Sequence, residues 1–322
     1  MFYLYNLENK SEELPFINKR ADCKTSGIYH WEYKIKRYFC EQKTELMKRF
    51  YQRYKLAIVP IKLIFYYFLY QFGCTLFARF LIVTLKKNSS IPTDKLDIYV
   101  TAIGLVLSGI AMIIHLVYFK YIKLRWKEVS LKNVILSLPF IISTLIASNI
   151  ITELLKLPNI FEGIFYDMSH NPLGLISMAI IAPIAEEMLF RGSIEGFFLK
   201  NDVPPAKAIC FSALIFGVIH INPAQVLFAC LLGIVFGWLY YRTGSIIPGM
   251  AGHVLNNSIA AVLMATGTEK EMSETTQDMI GTTATYVLLM MSIIIFAASL
   301  IYLWKKLPKS PFNEVSFPQP TS

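Results

Sequence analysis

A series of long apolar runs constrains this chain more than any other feature of its sequence. Several runs exceed the roughly 20 residues that an α-helix needs to cross a hydrocarbon core about 30 Å thick. Of the 322 residues, 55% are hydrophobic and 16% are charged, whereas a soluble domain carries about a quarter charged residues. The charge is missing from the apolar runs themselves, so the sequence predicts an all-α, polytopic membrane protein.

About eight transmembrane helices are predicted. The turns between the fifth, sixth and seventh are only a few residues long, which makes these helices antiparallel neighbours. The predicted spans are Ala57–Leu85, Leu96–Phe119, Val134–Leu154, Pro172–Phe198, Pro204–Ile221, Pro223–Tyr241, Ser245–Met264 and Gly281–Trp304.

The distribution of basic residues predicts the orientation. With a cytoplasmic N-terminus, the inside segments carry 23 Lys and Arg residues and the outside segments carry five. This asymmetry follows the positive-inside rule and predicts that both termini are cytoplasmic. The net charge of +9 is concentrated beside the apolar spans, where basic residues meet lipid headgroups. We therefore expect lipid, and not nucleic acid, as the partner of this charge.

Three regions are predicted: a basic cytoplasmic segment over 1–55, a transmembrane domain over 56–304, and a disordered cytoplasmic tail over 305–322. Basic and aromatic residues alternate in the first region, which fits a solvated juxtamembrane helix or an amphipathic anchor that binds a partner. No cleavable signal peptide is visible. The five cysteines are scattered without a CxxC pair, so neither a disulfide nor a cysteine metal site is expected.

Ionisable residues inside membrane spans are costly and indicate function. Glu186, Glu187 and Arg191 lie in the predicted fourth span. Glu187 and Arg191 are four residues apart and can form an ion pair on one face of a helix. Glu186 lies about 100° around that helix, so its partner must come from another helix or from water.

Two further spans supply imidazole and amide groups. Phe216 and His220 are four residues apart at the end of the fifth span, and His253 and Asn257 have the same spacing in the seventh. A carboxylate can take a proton from water, with an imidazole sharing that role. The other imidazole and the amide can donate to a developing oxyanion. The set predicts hydrolysis without a serine nucleophile.

The order of these motifs resembles the CAAX protease and bacteriocin-processing family, also called CPBP or Abi, which includes the type II CAAX prenyl endopeptidase. The resemblance covers about 172–262 and rests on three motifs, each in a separate apolar span: Glu186-Glu187-x-x-x-Arg191, Phe216-x-x-x-His220 and His253-x-x-x-Asn257.

The resemblance implies a role for each matching residue. Glu186 would activate the water with His220 beside it, and Glu187 would brace the site together with its arginine. The oxyanion hole would be formed by His253 and Asn257. Family members are described both as metalloproteases and as glutamate-dependent proteases, and no HExxH motif is present. We favour a site that needs no cofactor; the alternative is zinc or another divalent metal bound by Glu186, His220 and His253.

Other polar residues are given structural interpretations. His115, alone in the second span, is expected to form a helix–helix hydrogen bond, and Arg79 is expected to extend towards the interface. His30 and His170 lie in exposed segments. Glu195 continues the fourth span towards the cytoplasm and is assigned no role.

The favoured hypothesis is an intramembrane endopeptidase of a bacterial plasma membrane that cuts a peptide or protein near the bilayer. For a bacterial member of the family, the resemblance implies bacteriocin self-immunity or peptide maturation. One alternative is a non-catalytic membrane partner that binds a sensor kinase or a bacteriocin receptor. Another is a small transporter with an ion-coupling glutamate, although no internal repeat supports it.

Overall fold

The computed structural model describes residues 27–86, 96–122, 130–268, 271, 274–308 and 310–313. The chain divides into two units, 1–55 and 56–322. In the first unit the backbone from Gly27 is helical. Residues 1–26 lie outside the described part, so the expected membrane or partner role of this region stays a prediction.

The described residues of the chain are helical and contain no strand. Short connections join most of the helices, as expected for a helical bundle. The helices are α1 Gly27–Lys86, α2 Leu96–Tyr118, α3 Leu131–Leu154, α4 Glu162–Ser169, α5 Pro172–Ile176, α6 Ala182–Glu187, α7 Gly196–Lys200, α8 Pro205–Val218, α9 Pro223–Thr243, α10 Ile247–Thr266, α11 Thr276–Ile280 and α12 Thr282–Lys306.

Within the described ranges, six helices are long and apolar enough to cross a membrane. The predicted fifth and seventh spans are also helices, but they are not among these six. Helix α8 has only 14 residues, about 21 Å at the α-helical rise, and α10 carries the polar side chains of His253, Asn256 and Asn257. The predicted total of eight is therefore not confirmed, and the orientation of the termini stays a prediction.

Packing in the second unit surrounds the predicted fourth span. Residues 172–200 form one broken helix that contacts α2, α8 and α10, while α9 packs on α8 and α3, and α12 packs on α3. The larger core cluster contains Leu189 and Phe190 of the broken helix together with Leu63 of α1 and Phe216 of α8. The broken helix is thus the central element of this unit.

The turn between α8 and α9 is fixed by one buried amide. Asn222 is fully buried, and its Nδ2 donates to Asn159 Oδ1 at 2.7 Å. Its Oδ1 accepts from the backbone N–H of Ile160 at 3.1 Å. The turn after α8, which carries His220, is therefore anchored to the 158–160 loop.

Part of the predicted disordered tail has a defined structure. Helix α12 continues to Lys306, and a short 3₁₀ turn covers Pro311–Asn313. The Arg242 guanidinium, at the end of α9, donates to the backbone carbonyls of Trp304 and Leu307 at 3.0 and 3.1 Å. These bonds satisfy carbonyls that a helix end leaves unpaired. Residues 314–322 lie outside the described part.

The close contact between α8 and α9 makes the protein sensitive to substitution of Gly217. A methyl group at Gly217 would lie 2.7 Å from the backbone carbonyl oxygen of Val226 and 2.2 Å from Cys230 Sγ. Backbone atoms cannot move aside, so we expect Gly217→Ala to separate α8 from α9 and to destabilise the protein by about 1–3 kcal/mol. The measurement is the midpoint of thermal unfolding in detergent micelles.

The matched control is Gly73→Ala, because nothing lies within 4 Å of a methyl group added there. Alanine inside a helix is more favourable than glycine by up to about 1 kcal/mol. We expect Gly73→Ala to keep or raise the midpoint. Equal midpoints for both variants would contradict the close α8–α9 contact.

Candidate active site

The predicted fourth span is interrupted on both sides of its two glutamates. Helix α6 ends at Glu187, and the flanking segments Ser177–Ile181 and Met188–Glu195 are π-helical. A π-turn inserts an extra residue and is frequent at functional sites. The Ser212 hydroxyl of α8 donates to the Phe190 carbonyl at 3.0 Å, which ties α8 to the second π-segment. The apolar run in the sequence predicted a span here, but it did not predict the π-helical segments.

Glu187 forms the centre of a buried charge group. Its side chain and that of Arg191 are fully buried, with Arg191 Nη1 3.2 Å from Glu187 Oε1. His253 Nδ1 lies 3.1 Å from the same oxygen. A carboxylate oxygen accepts, so His253 Nδ1 carries a hydrogen and donates it to Glu187. Glu187 therefore fixes the orientation of His253, in addition to forming the predicted pair with Arg191.

Glu186 faces the other nitrogen of the same imidazole. Its Oε2 lies 3.8 Å from His253 Nε2, and its Oε1 accepts a hydrogen bond from the Tyr67 hydroxyl at 3.2 Å. The distance of 3.8 Å is too long for a direct hydrogen bond, but one water molecule could contact both atoms. Glu186 is 8% exposed and His253 is 5% exposed, which leaves this pair almost entirely inside the protein.

The Arg191 guanidinium is held by charge and by aromatic rings. Its central carbon lies 4.4 Å from the centre of the Phe216 ring and 5.7 Å from that of Phe236. Arginine over an aromatic face gains cation–π energy, and more so when it is removed from water. Among the described residues, its nitrogens have no hydrogen-bond partner. The ion pair with Glu187 and the two rings therefore provide its stabilisation.

Glu195 is a member of the buried charge group that the sequence analysis assigned no role. It is fully buried, and neither carboxyl oxygen has a hydrogen-bond partner in the part of the chain that is described. Gly237 of α9 leaves room for it, since a methyl group there would lie 2.6 Å from Glu195 Oε2. In the sequence, Glu195 lies four residues after Arg191. This spacing could have indicated Glu195 as part of the site, because it predicts a second ion pair on one helix face.

His220 lies beside this group without joining it directly. Its Nδ1 donates to the Phe216 carbonyl at 2.8 Å, which leaves Nε2 free to accept a proton in the neutral ring. The Phe216 ring meets both imidazoles edge-on, with centroids 5.1 Å from His220 and 5.6 Å from His253. The structure thus brings His220 to Phe216, and not into hydrogen-bond contact with Glu186.

Asn257 links α10 to the first π-segment. Its Nδ2 donates to the Met178 carbonyl at 3.1 Å, and its Oδ1 accepts from Asn256 Nδ2 at 3.0 Å. One amide hydrogen of Nδ2 is used in this link and the other stays available. The oxyanion role predicted for Asn257 and His253 stays a prediction.

The three possible zinc ligands are not gathered at one point. Across the described ranges, no group of three or more His, Cys, Asp and Glu side chains has an arrangement that could hold a metal ion. Glu186 and His253 are close, while His220 contacts Phe216. These side chains therefore do not form the predicted three-ligand site as they stand.

The remaining predictions concern isolated polar residues. His115 Nδ1 lies 2.8 Å from the Tyr70 hydroxyl, so the predicted helix–helix hydrogen bond is present. Arg79 is exposed and lies 3.4 Å from Asp97. His170 is exposed and its Nδ1 donates to the Tyr166 carbonyl at 2.9 Å. None of these residues takes part in the Glu186–His253 group.

These features define a class of protein. It is a multi-pass membrane protein whose helices enclose a glutamate–histidine pair braced by an arginine. Residues 168–259 match the sequence model of the family described as Rce1-like, type II CAAX prenyl endopeptidase. Over this segment the chain is similar to the CPBP/CAAX protease family, which confirms the resemblance seen in its motifs.

One curated relative matches a segment of similar length. The protein named "Putative membrane peptidase YdiL" from Bacillus subtilis (strain 168) is 32% identical over 93 residues. The match spans 29% of this chain and 37% of the relative's length, so it concerns a segment of each protein and not the whole. No solved structure gives a significant match.

Proposed function

We propose that this protein is an intramembrane endopeptidase that hydrolyses a peptide bond near the membrane with a water activated by Glu186. The observation that carries the proposal is the pairing of Glu186 Oε2 with His253 Nε2 at 3.8 Å, braced by buried Glu187 and Arg191. This group lies inside the segment that matches the Rce1-like family. Its surroundings exclude bulk water, which strengthens electrostatic interactions during a reaction.

The proposed reaction uses one water molecule bound between Glu186 and His253. The water oxygen forms a bond to the carbonyl carbon of the substrate while its proton passes to Glu186. The proton then moves to the leaving nitrogen as the C–N bond breaks, giving a new carboxylate and a new amine. His220 can act beside this pair as a second proton acceptor at Nε2, because its Nδ1 is committed to the Phe216 carbonyl.

The negative charge on the carbonyl oxygen needs hydrogen-bond donors. His253 can donate from Nε2 when its ring carries both protons, since Glu187 holds Nδ1 and balances the positive charge. Asn257 can donate the Nδ2 hydrogen that the Met178 carbonyl does not take. The same set would then both orient the water and stabilise the tetrahedral intermediate.

In the form of this reaction that we propose, no metal takes part and Glu186 is the base. The alternative form binds zinc or another divalent metal through Glu186, His220 and His253, and would require His220 to turn away from its Phe216 contact.

The physiological setting that we propose is bacteriocin self-immunity or peptide maturation in a bacterial plasma membrane. The substrate is then a peptide or protein that approaches from the bilayer.

The test is cleavage by the purified protein in proteoliposomes. The probes are peptides with one membrane-inserting half of about 20 apolar residues and one polar half, incubated in water enriched in ¹⁸O. We expect fragments whose new C-terminal carboxylate contains ¹⁸O, detected by mass spectrometry. Failure to cleave any probe, with the fold intact, would favour the non-catalytic partner hypothesis. Loss of cleavage after chelation, with recovery on adding zinc, would overturn the metal-free form.

A further inference from the structure

The first transmembrane helix, outside the segment that matches the family, contacts the proposed base. We propose that Tyr67 is a positioning residue that holds one oxygen of Glu186 so that the other faces His253. The inference rests on the proposed function, because it assigns a role within the same reaction. It adds a residue that is separated from Glu186 by 119 positions in the chain.

The hydrogen bond between Tyr67 and Glu186 has a defined direction. The phenol can donate and an ionised carboxylate can only accept, so the Tyr67 hydroxyl donates to Glu186 Oε1 at 3.2 Å. The side chain of Gln71, one helical turn further on, lies close enough to interact with the Tyr67 hydroxyl. If Gln71 donates to the phenolic oxygen, the hydroxyl hydrogen is left for Glu186.

The helix that carries Tyr67 is fixed against the broken helix by its own buried face. Val59, Leu63 and Tyr67 are spaced four residues apart and therefore lie along one side of α1. Val59 and Leu63 belong to the core cluster that contains Met188 and Leu189, the residues that follow the two glutamates. Leu63 is fully buried. The position of the Tyr67 hydroxyl is thus set by packing one and two turns away from it.

The two carboxylate oxygens of Glu186 have different partners and therefore different roles. Oε1 is held by Tyr67, and Oε2 lies towards His253 Nε2, where the reacting water is proposed to bind. Without the hydroxyl, the carboxylate could rotate about its last bond and lose this alignment. Misplacement of a catalytic group lowers the rate of the chemical step. Substrate affinity should not change, because Tyr67 acts through Glu186.

The experiment compares Tyr67→Phe with Tyr70→Phe. Both tyrosines lie on α1 and each donates or shares one hydrogen bond, but the partner of Tyr70 is His115 Nδ1 at 2.8 Å. We expect Tyr67→Phe to lower kcat about 10-fold on the peptide that the wild type cleaves, with KM unchanged. Tyr70→Phe should keep kcat within about 2-fold of the wild type. Thermal midpoints of both variants show whether the fold is retained.

A second measurement does not depend on activity. A 3-fluorotyrosine is introduced at position 67 or, as the control, at position 70, and its ¹⁹F resonance is recorded in micelles. We expect Glu186→Ala, which removes the acceptor of this hydrogen bond, to shift the resonance at position 67 and to leave that at position 70 in place. No shift at position 67 would show that the hydroxyl is not bonded to Glu186 and would overturn the inference.

The outcomes separate this inference from the proposed function. If Glu186→Gln abolishes cleavage while Tyr67→Phe retains the wild-type kcat, the inference fails and the proposed function stands. A raised KM with unchanged kcat would mean that Tyr67 binds substrate, which also overturns the positioning role. If Glu186→Gln itself cleaves normally, the proposed function fails, and the role of Tyr67 in catalysis fails with it.

Discussion

Glu186→Gln is expected to lower the rate of peptide cleavage in proteoliposomes by at least about 100-fold, the usual lower bound for loss of a general base. Glutamine keeps the size of the side chain, and its amide oxygen can still accept from the Tyr67 hydroxyl. It cannot take a proton from water. The fold should therefore persist while the chemical step is lost. Initial rates on the same probe peptide measure the effect.

Glu274→Gln is the matched control for this substitution. Glu274 is exposed and lies in the loop before α11, outside the three motifs, so its variant should cleave at the wild-type rate. Cleavage by the Glu186→Gln protein at more than a tenth of the wild-type rate would show that another group acts as the base. The water-activation scheme would then be wrong.

Arg191→Leu is expected to have the largest effect on stability. The substitution removes the guanidinium that pairs with buried Glu187 and lies four residues before buried Glu195, leaving the Glu187 carboxylate without that positive partner. Removing one member of a buried ion pair costs about 3–5 kcal/mol. We expect low expression and a strongly reduced unfolding midpoint in micelles.

Two further variants test whether an uncompensated buried charge causes the loss of stability. Arg79→Leu removes an arginine whose side chain is 60% exposed and whose partner, Asp97, is 81% exposed, so it should change the free energy of unfolding by less than about 1 kcal/mol. Combining Arg191→Leu with Glu187→Gln and Glu195→Gln should recover much of the lost stability, because no uncompensated charge remains. The triple variant should still lack activity, since His253 loses its ionised partner. A midpoint for Arg191→Leu equal to that of Arg79→Leu would contradict the buried-charge interpretation.

Spacing along the chain predicted the parts of the site that lie on single helices. The four-residue separation of Glu187 and Arg191 predicted their ion pair, and the polar motifs identified the helices that meet. The contact of Glu187 with His253 could not be predicted, because it depends on how α10 packs against the broken helix. Tyr67 was missed for the same reason: one tyrosine among the aromatic residues of α1 carries no local signal.

The fold shows a similar division between local and tertiary information. Apolar length predicted each spanning helix, since burying about 20 apolar residues in lipid is a local property. The π-segments on either side of α6 depend on neighbours, among them the Ser212 hydroxyl that binds the Phe190 carbonyl. The short α8 was predicted as a full span because its apolar composition continues to Ile221, whereas the helix itself stops at Val218.

The short length of α8 affects how water could reach the proposed site. A helix of 14 residues covers about 21 Å and leaves about 9 Å of a hydrocarbon core of average thickness unspanned. A helix this short is accommodated by local thinning of the bilayer or by a hydrated recess at its end. Because Asn222 anchors that end to the 158–160 loop, a recess formed there would be held in place beside His220. In the proposed reaction, interfacial water in such a recess would be the nearest source of the water that each hydrolysis consumes.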